Sequence, residues 1–138
     1  MTKYLTEFIG TLFLVLTVGL TVVEQSPMAP LAIGASLMIM VYMGGHISGG
    51  HYNPAVTLAA AMRGKMAGTD VVPYMVAQVL GAIVASLLVY VILGRTFSPA
   101  PAPTATVIAA LLVEILYTFA LCIVVLNTAC HAATKGNS

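Results

Sequence analysis

Residues 44–65 read GGHISGGHYNPAVTLAAAMRGK, and how this stretch is read decides the fold. It follows an apolar run, and its first charged residue is Arg63. Counting both ends, the 37 residues from Ser26 to Met62 contain no Asp, Glu, Lys or Arg. One membrane span uses about 20 residues, and two spans with a turn need more than about 40. The segment therefore holds one span and a remainder. In that remainder Asn53 is a good N-cap and Pro54 suits the first helical position, so a helix is predicted over 54–62. At about 1.5 Å per residue it would be roughly 14 Å long, half the hydrocarbon thickness. Arg63 then marks a return to the side from which the chain entered.

The stretch thus reads as a re-entrant element, in which extended chain enters, turns near the midplane and goes back as a half-helix. The glycines at 44, 45, 49 and 50 are expected to let the backbone run extended and pack tightly. Non-helical backbone at that depth is tolerable only where protein buries it or it lines a wet cavity. The carbonyls of Gly49, Gly50, His51 and Tyr52 are accordingly expected to form a row of acceptors. Acceptors meeting a helix N-terminus at mid-membrane point to a solute path. An ordinary surface helix at 54–62 should instead be amphipathic, and PAVTLAAAM has no charged face.

Composition agrees. Of 138 residues, 60% are hydrophobic and only 7% charged, with a mean hydropathy of +1.05. A soluble domain carries roughly 25% charged residues, so the solvent of this chain is largely lipid. A net charge of +1 argues against a nucleic-acid partner. Cys122 and Cys130 lack the spacing of a zinc site or redox pair and read as free thiols. No cofactor or metal is implied, and Ser48 has no nucleophile elbow around it, so no enzyme is expected.

Outside the opening stretch, charges punctuate the chain. Spans are predicted over 4–23, 28 to about 45, 71–94 and about 106–128, with Pro73 in the first turn of the third. RTFSPAPAPTA before the fourth is expected to be an extended loop. Lys3 precedes the first apolar run, which reads as a retained span rather than a signal peptide. With the N-terminus in the cytoplasm, Lys3, Arg63, Lys65 and Lys135 lie inside and only Arg95 outside, as short-loop charge bias requires.

HISGGHYNPAVTLA resembles the first pore loop of the aquaporin and glycerol-facilitator family, the major intrinsic proteins. TEFIGTLFLV resembles that family's first helix, PYMVAQVLGAIVAS its third and LLVEILYTFALCIVV its fourth, so the resemblance spans the chain. It implies an all-α membrane protein: an aquaporin-like inverted-repeat bundle, here with four transmembrane helices and one re-entrant half-helix. An internal repeat supports this, since Glu7–Thr11 (EFIGT) recurs as Glu114–Thr118 (EILYT), and Leu14 answers Leu121. On this reading residues 1–95 form the first hemi-repeat, and 106–138 the first helix of the second with its following loop. Because a family member would continue with two more helices and a second Asn-Pro-Ala loop, the sequence is expected to be an N-terminal fragment or truncated product.

The resemblance further implies a passive channel for water, with small neutral solutes such as glycerol also admitted. Asn53 would point its amide into the pore at the Asn53-Pro54-Ala55 signature, and Ile33 would stand at the outer-constriction position of helix two. Glu7 and Glu114 are expected to hold pore-loop N–H groups, with Gln78 in a similar role and the rings of His46 and His51 bracing the loop. Partners would be water or small neutral solute, membrane lipid and further copies in a homotetramer, in the cell (inner) membrane. Two alternatives stand beside the channel: a truncated, non-conducting membrane module assembling with full-length subunits, and a proton-coupled transporter using Glu7 and Glu114.

Overall fold

The computed structural model describes residues 2–129. Among these residues the secondary structure is entirely helical: α1 (Thr2–Val23), α2 (Ala29–Ser48), α3 (Pro54–Met62), α4 (Gly68–Leu93) and α5 (Val107–Thr128). Four of them, α1, α2, α4 and α5, are long and apolar enough to cross a membrane. The ninth residue of α3 is its last, which makes it about half a bilayer long.

Helix α3 occupies the predicted residues, and its start has the predicted chemistry. Asn53 has extended backbone (φ −153°, ψ 129°), and its Oδ1 accepts the Ala55 N–H at 2.8 Å. Pro54 follows at a position where a missing N–H costs nothing. Helix α5 is capped alike, Thr106 Oγ1 accepting the Ala109 N–H at 3.2 Å.

Two boundaries differ from expectation. Helix α2 continues through Gly44, Gly45 and His46 to Ser48, so the first pair of glycines is helical rather than extended. The helix stops only where Gly49 adopts φ 93° and its N–H reaches the Gly45 carbonyl at 2.9 Å, a left-handed cap that glycine permits at little cost. Helix α4 begins at Gly68, so Pro73 lies inside it rather than in its first turn.

Helices α1 and α4 run parallel and are tied at both ends. At one end the Lys3 ammonium meets the Asp70 carboxylate at 2.6 Å while the Tyr4 hydroxyl donates to it at 2.7 Å. At the other, Arg95 meets Glu24 at 2.8 Å. Between them Gly81 lies against the α1 backbone, where a Cβ would come 2.5 Å from the Phe8 carbonyl oxygen. Helix α2 returns antiparallel on α1, with Thr17 Oγ1 donating to Ser36 Oγ at 3.2 Å. Helix α3 packs on α4 and α5, and α5 has no buried residue. The buried centre lies where α1, α4, α3 and the 49–53 loop meet, at Glu7, Gln78, Val56 and Thr57. The apolar outer faces, such as Leu87, Val91, Leu116 and Phe119, are exposed, as befits surfaces solvated by lipid.

Candidate functional site

The loop joining α2 to α3 is five residues, Gly49–Asn53, and it is not simply extended. Gly49 (φ 93°), Gly50 (φ 63°) and Tyr52 (φ 47°) are all left-handed. This turns neighbouring N–H groups to one side, the arrangement that binds anions in backbone nests. Here the anion is a side chain of the protein itself.

Glu7, on α1, is fully buried at 0% exposure. Its Oε1 accepts the Ser48 hydroxyl at 2.6 Å and the His51 N–H at 3.0 Å. Its Oε2 accepts the Tyr52 N–H at 2.7 Å and the Gln78 Nε2 at 2.8 Å. A carboxylate so deep is costly without partners, and four donors supply them. Gln78 also donates to Thr57 Oγ1 at 2.9 Å, joining α4 to the end of the first turn of α3. Thr57 Oγ1 lies 3.1 Å from His51 Nδ1 and 3.2 Å from the Asn53 carbonyl oxygen. A hydroxyl carries one proton; given to Asn53, it obliges His51 Nδ1 to bear the ring proton.

Tyr52 holds a conformation costing of order 1–3 kcal/mol for a residue other than glycine. Three contacts enforce it. Its N–H is bound by Glu7, its hydroxyl donates to the Met40 carbonyl at 2.8 Å, and its ring fills a notch over Gly10 and Gly44. A Cβ on either glycine would collide with the ring or its hydroxyl. This close approach is why Gly44 serves α2 despite the helix it weakens.

Gly49, Gly50, His51, Tyr52 and Asn53 form one wall of a cavity of about 320 Å³. Leu14 of α1, Leu37 and Val41 of α2, and Leu121 and Val125 of α5 are among the apolar residues that face it, and Tyr42 and Thr128 also line it. Among the described residues no hydrogen bond ends on the carbonyls of Gly49 to Tyr52, so the polar wall carries open acceptors. Asn53 uses Oδ1 as the cap, and its Nδ2 makes no hydrogen bond among the described residues. The arrangement offers a line of acceptors and one amide donor beside a helix N-terminus, within an otherwise largely apolar wall.

Other residues singled out in the sequence lie elsewhere. His46 is exposed near the end of α2 and makes no hydrogen bond among the described residues, so its ring does not brace the loop. Ile33 is half-buried on α2, one turn before the cavity-lining Leu37 and outside the lining itself. Glu114 is exposed on α5, apart from the Glu7 network, at the edge of a second cavity of about 610 Å³ beside Pro99–Ala102. Cys122 is a free, half-buried thiol, whereas Cys130 and Lys135 fall outside the described residues.

Three supports were not singled out in the sequence: Thr57, Gly10, and Tyr74, whose hydroxyl donates to the Ser48 carbonyl at 2.9 Å and whose ring lies 5.4 Å from that of His51. Thr57 stands four residues after the N-cap and so could have been found by helical spacing. Nothing local marks Gly10 or Tyr74.

Comparison with known proteins agrees with this architecture. The family model described as "Major intrinsic protein" matches residues 1–138. The chain is 37% identical over 141 residues to "Glycerol uptake facilitator protein-like 6" of Lactiplantibacillus plantarum, covering 92% of this chain and 63% of that protein. It is 44% identical over 103 residues to "Aquaporin Z" of Rhodopseudomonas palustris, covering 65% of this chain and 41% of that protein. With "Aquaporin NIP1-1" of Zea mays it shares 36% identity over 137 residues, 92% of this chain and 49% of that protein. The chain thus spans roughly half the length of these relatives. By its family match and its four long apolar helices, it is an integral membrane protein that belongs to the major intrinsic protein family of non-enzymatic channels.

Proposed function

We propose that the cavity beside Gly49–Asn53 is one half of the lining of a passive path for water and small neutral solutes such as glycerol. The observation that carries this reading is the polar wall: four backbone carbonyls without a hydrogen-bond partner among the described residues and the Asn53 amide, set in a largely apolar cavity. Carbonyls accept from a passing hydroxyl and so replace part of its hydration. Asn53 Nδ2 donates to the solute oxygen. The N-terminus of α3 adds about half a positive charge at the same point, which turns water oxygens toward it and disfavours cations.

Residues 1–95 would form the first hemi-repeat, with the N-terminus in the cytoplasm and the chain in the cell membrane as a tetramer. The Lys and Arg distribution supports the orientation, and the recurrence of Glu7–Thr11 at Glu114–Thr118 supports the repeat. Proton coupling finds less support. Each Glu7 oxygen already receives two donors, and Glu114 stands outside their network.

The test is stopped-flow shrinkage of proteoliposomes holding the full chain, with empty vesicles as control. Water flux above the control that falls on Asn53→Ala supports the path, and a glycerol gradient in the same vesicles reports the solute class. Flux equal to the control, restored only by a full-length relative, favours the non-conducting assembly module.

A further inference from the structure

Two buried polar atoms lie beside the Glu7 anchor without a hydrogen-bond partner among the described residues: Thr11 Oγ1 and Gln78 Oε1. Their residues are 4% and 1% exposed. The orientation of the Gln78 amide is imposed by its neighbours. Its nitrogen donates to Glu7 Oε2, and a carboxylate oxygen only accepts. Turned over, the amide would set oxygen against oxygen, so Oε1 must face away from Glu7.

Thr11 is anomalous in its own helix. Thr6, Thr17 and Thr21 each donate to the carbonyl four residues back, at 2.9, 2.8 and 2.7 Å. Such back-bonding is the ordinary resort of a hydroxyl inside a helix. Thr11 does not use it, although Glu7 stands four residues before it.

The register of α1 on α4 brings the two residues together. Glu7 meets Gln78, and the α1 turn from Phe8 to Leu12, which contains Thr11, lies against Gly81. Thr11 is one helical turn beyond Glu7, and Gln78 is less than one turn before Gly81. Both residues therefore belong to the same stretch of the α1–α4 contact.

We propose that this stretch is a binding site for a single water molecule, bridging Thr11 Oγ1 and Gln78 Oε1. Gln78 Oε1 can only accept, and the hydroxyl can do either, so water donates to the first and completes the second. A buried water needs two to four polar partners and room for about one probe sphere, and this stretch offers two unpartnered oxygens. The bound water extends the Glu7–Gln78–Thr57 network to α1 beyond its anchor carboxylate. Its support is independent of what passes through the cavity.

The decisive experiment is an experimental structure of the full chain in lipid, at a resolution that shows ordered water. A density peak about 2.7–3.2 Å from both oxygens is expected. No peak, or Thr11 bonded directly to Gln78 or to the Glu7 carbonyl, overturns the proposal. Thermal melting gives a second readout. Thr11→Val is expected to lower the midpoint by about 2–6 °C and Thr11→Ser to preserve it. A Thr11→Val protein melting at or above the wild-type temperature overturns the proposal, because deleting a dry, unpaired hydroxyl is neutral or stabilising.

Discussion

Replacing Glu7 by Gln probes the anchor of the 49–53 loop with almost no change in volume. Each carboxylate oxygen accepts two bonds, so turning either one into an NH2 leaves two donors facing a donor. The flexible member of each pair can recover: Ser48 rotates its hydroxyl, or Gln78 turns its amide. The backbone member cannot. Either the His51 or the Tyr52 N–H loses a charge-assisted bond worth about 1.5–3 kcal/mol. At about 1.4 kcal/mol per factor of ten, the loop should open roughly 10- to 150-fold more often. Hydrogen exchange followed by mass spectrometry reads this directly on a peptide covering 48–53. That peptide should exchange faster by such a factor in Glu7→Gln, while the middle of α4 keeps its wild-type rate. Equal rates at 48–53 in the two proteins would refute the claim that the carboxylate holds the loop.

Three further substitutions follow from the same contacts. Gly10→Ala drives a methyl into the Tyr52 ring and should destabilise by about 1–3 kcal/mol, seen as a lower melting midpoint by circular dichroism. Tyr52→Phe removes only the hydroxyl donated to the Met40 carbonyl and should cost about 0.5–1.5 kcal/mol in the same assay, with the ring still seated. Asn53→Ala deletes the cap of α3, worth about 0.5–2 kcal/mol, and should speed exchange of the first-turn amides, the Ala55 N–H foremost.

The half-helix was legible because its signals are local. A charge-free stretch too short for two spans, a capping Asn and a Pro at the first helical position sufficed to place 54–62. The end of α2 was misplaced for an equally physical reason. Gly44 and Gly45 read as breakers, yet Gly44 stays helical because α2 needs a residue without a side chain where the Tyr52 hydroxyl and Thr6 approach. That need arises from packing across the fold and leaves no local trace.

The anchor itself was partly visible. A lone carboxylate in an apolar span asks for donors, so Glu7 drew attention. Which donors answer it depends on residues 41 to 71 positions away. The left-handed Tyr52 was hidden as well, since nothing in HYNP announces a positive φ on a bulky residue. His46 shows the opposite failure: its place in the motif suggested a brace, but helical continuation carries it to an exposed face.

The claim that solute passes the 49–53 wall is tested most directly by filling the cavity. Val41 lines it from α2, so Val41→Trp should occlude it, whereas Leu31→Trp, on the same helix at a position 65% exposed, should not. Osmotic water permeability of proteoliposomes is the measurement, made on variants whose melting midpoints match the wild type. The expected result is wild-type flux for Leu31→Trp and flux at the empty-vesicle level for Val41→Trp. Undiminished flux through Val41→Trp would contradict the path.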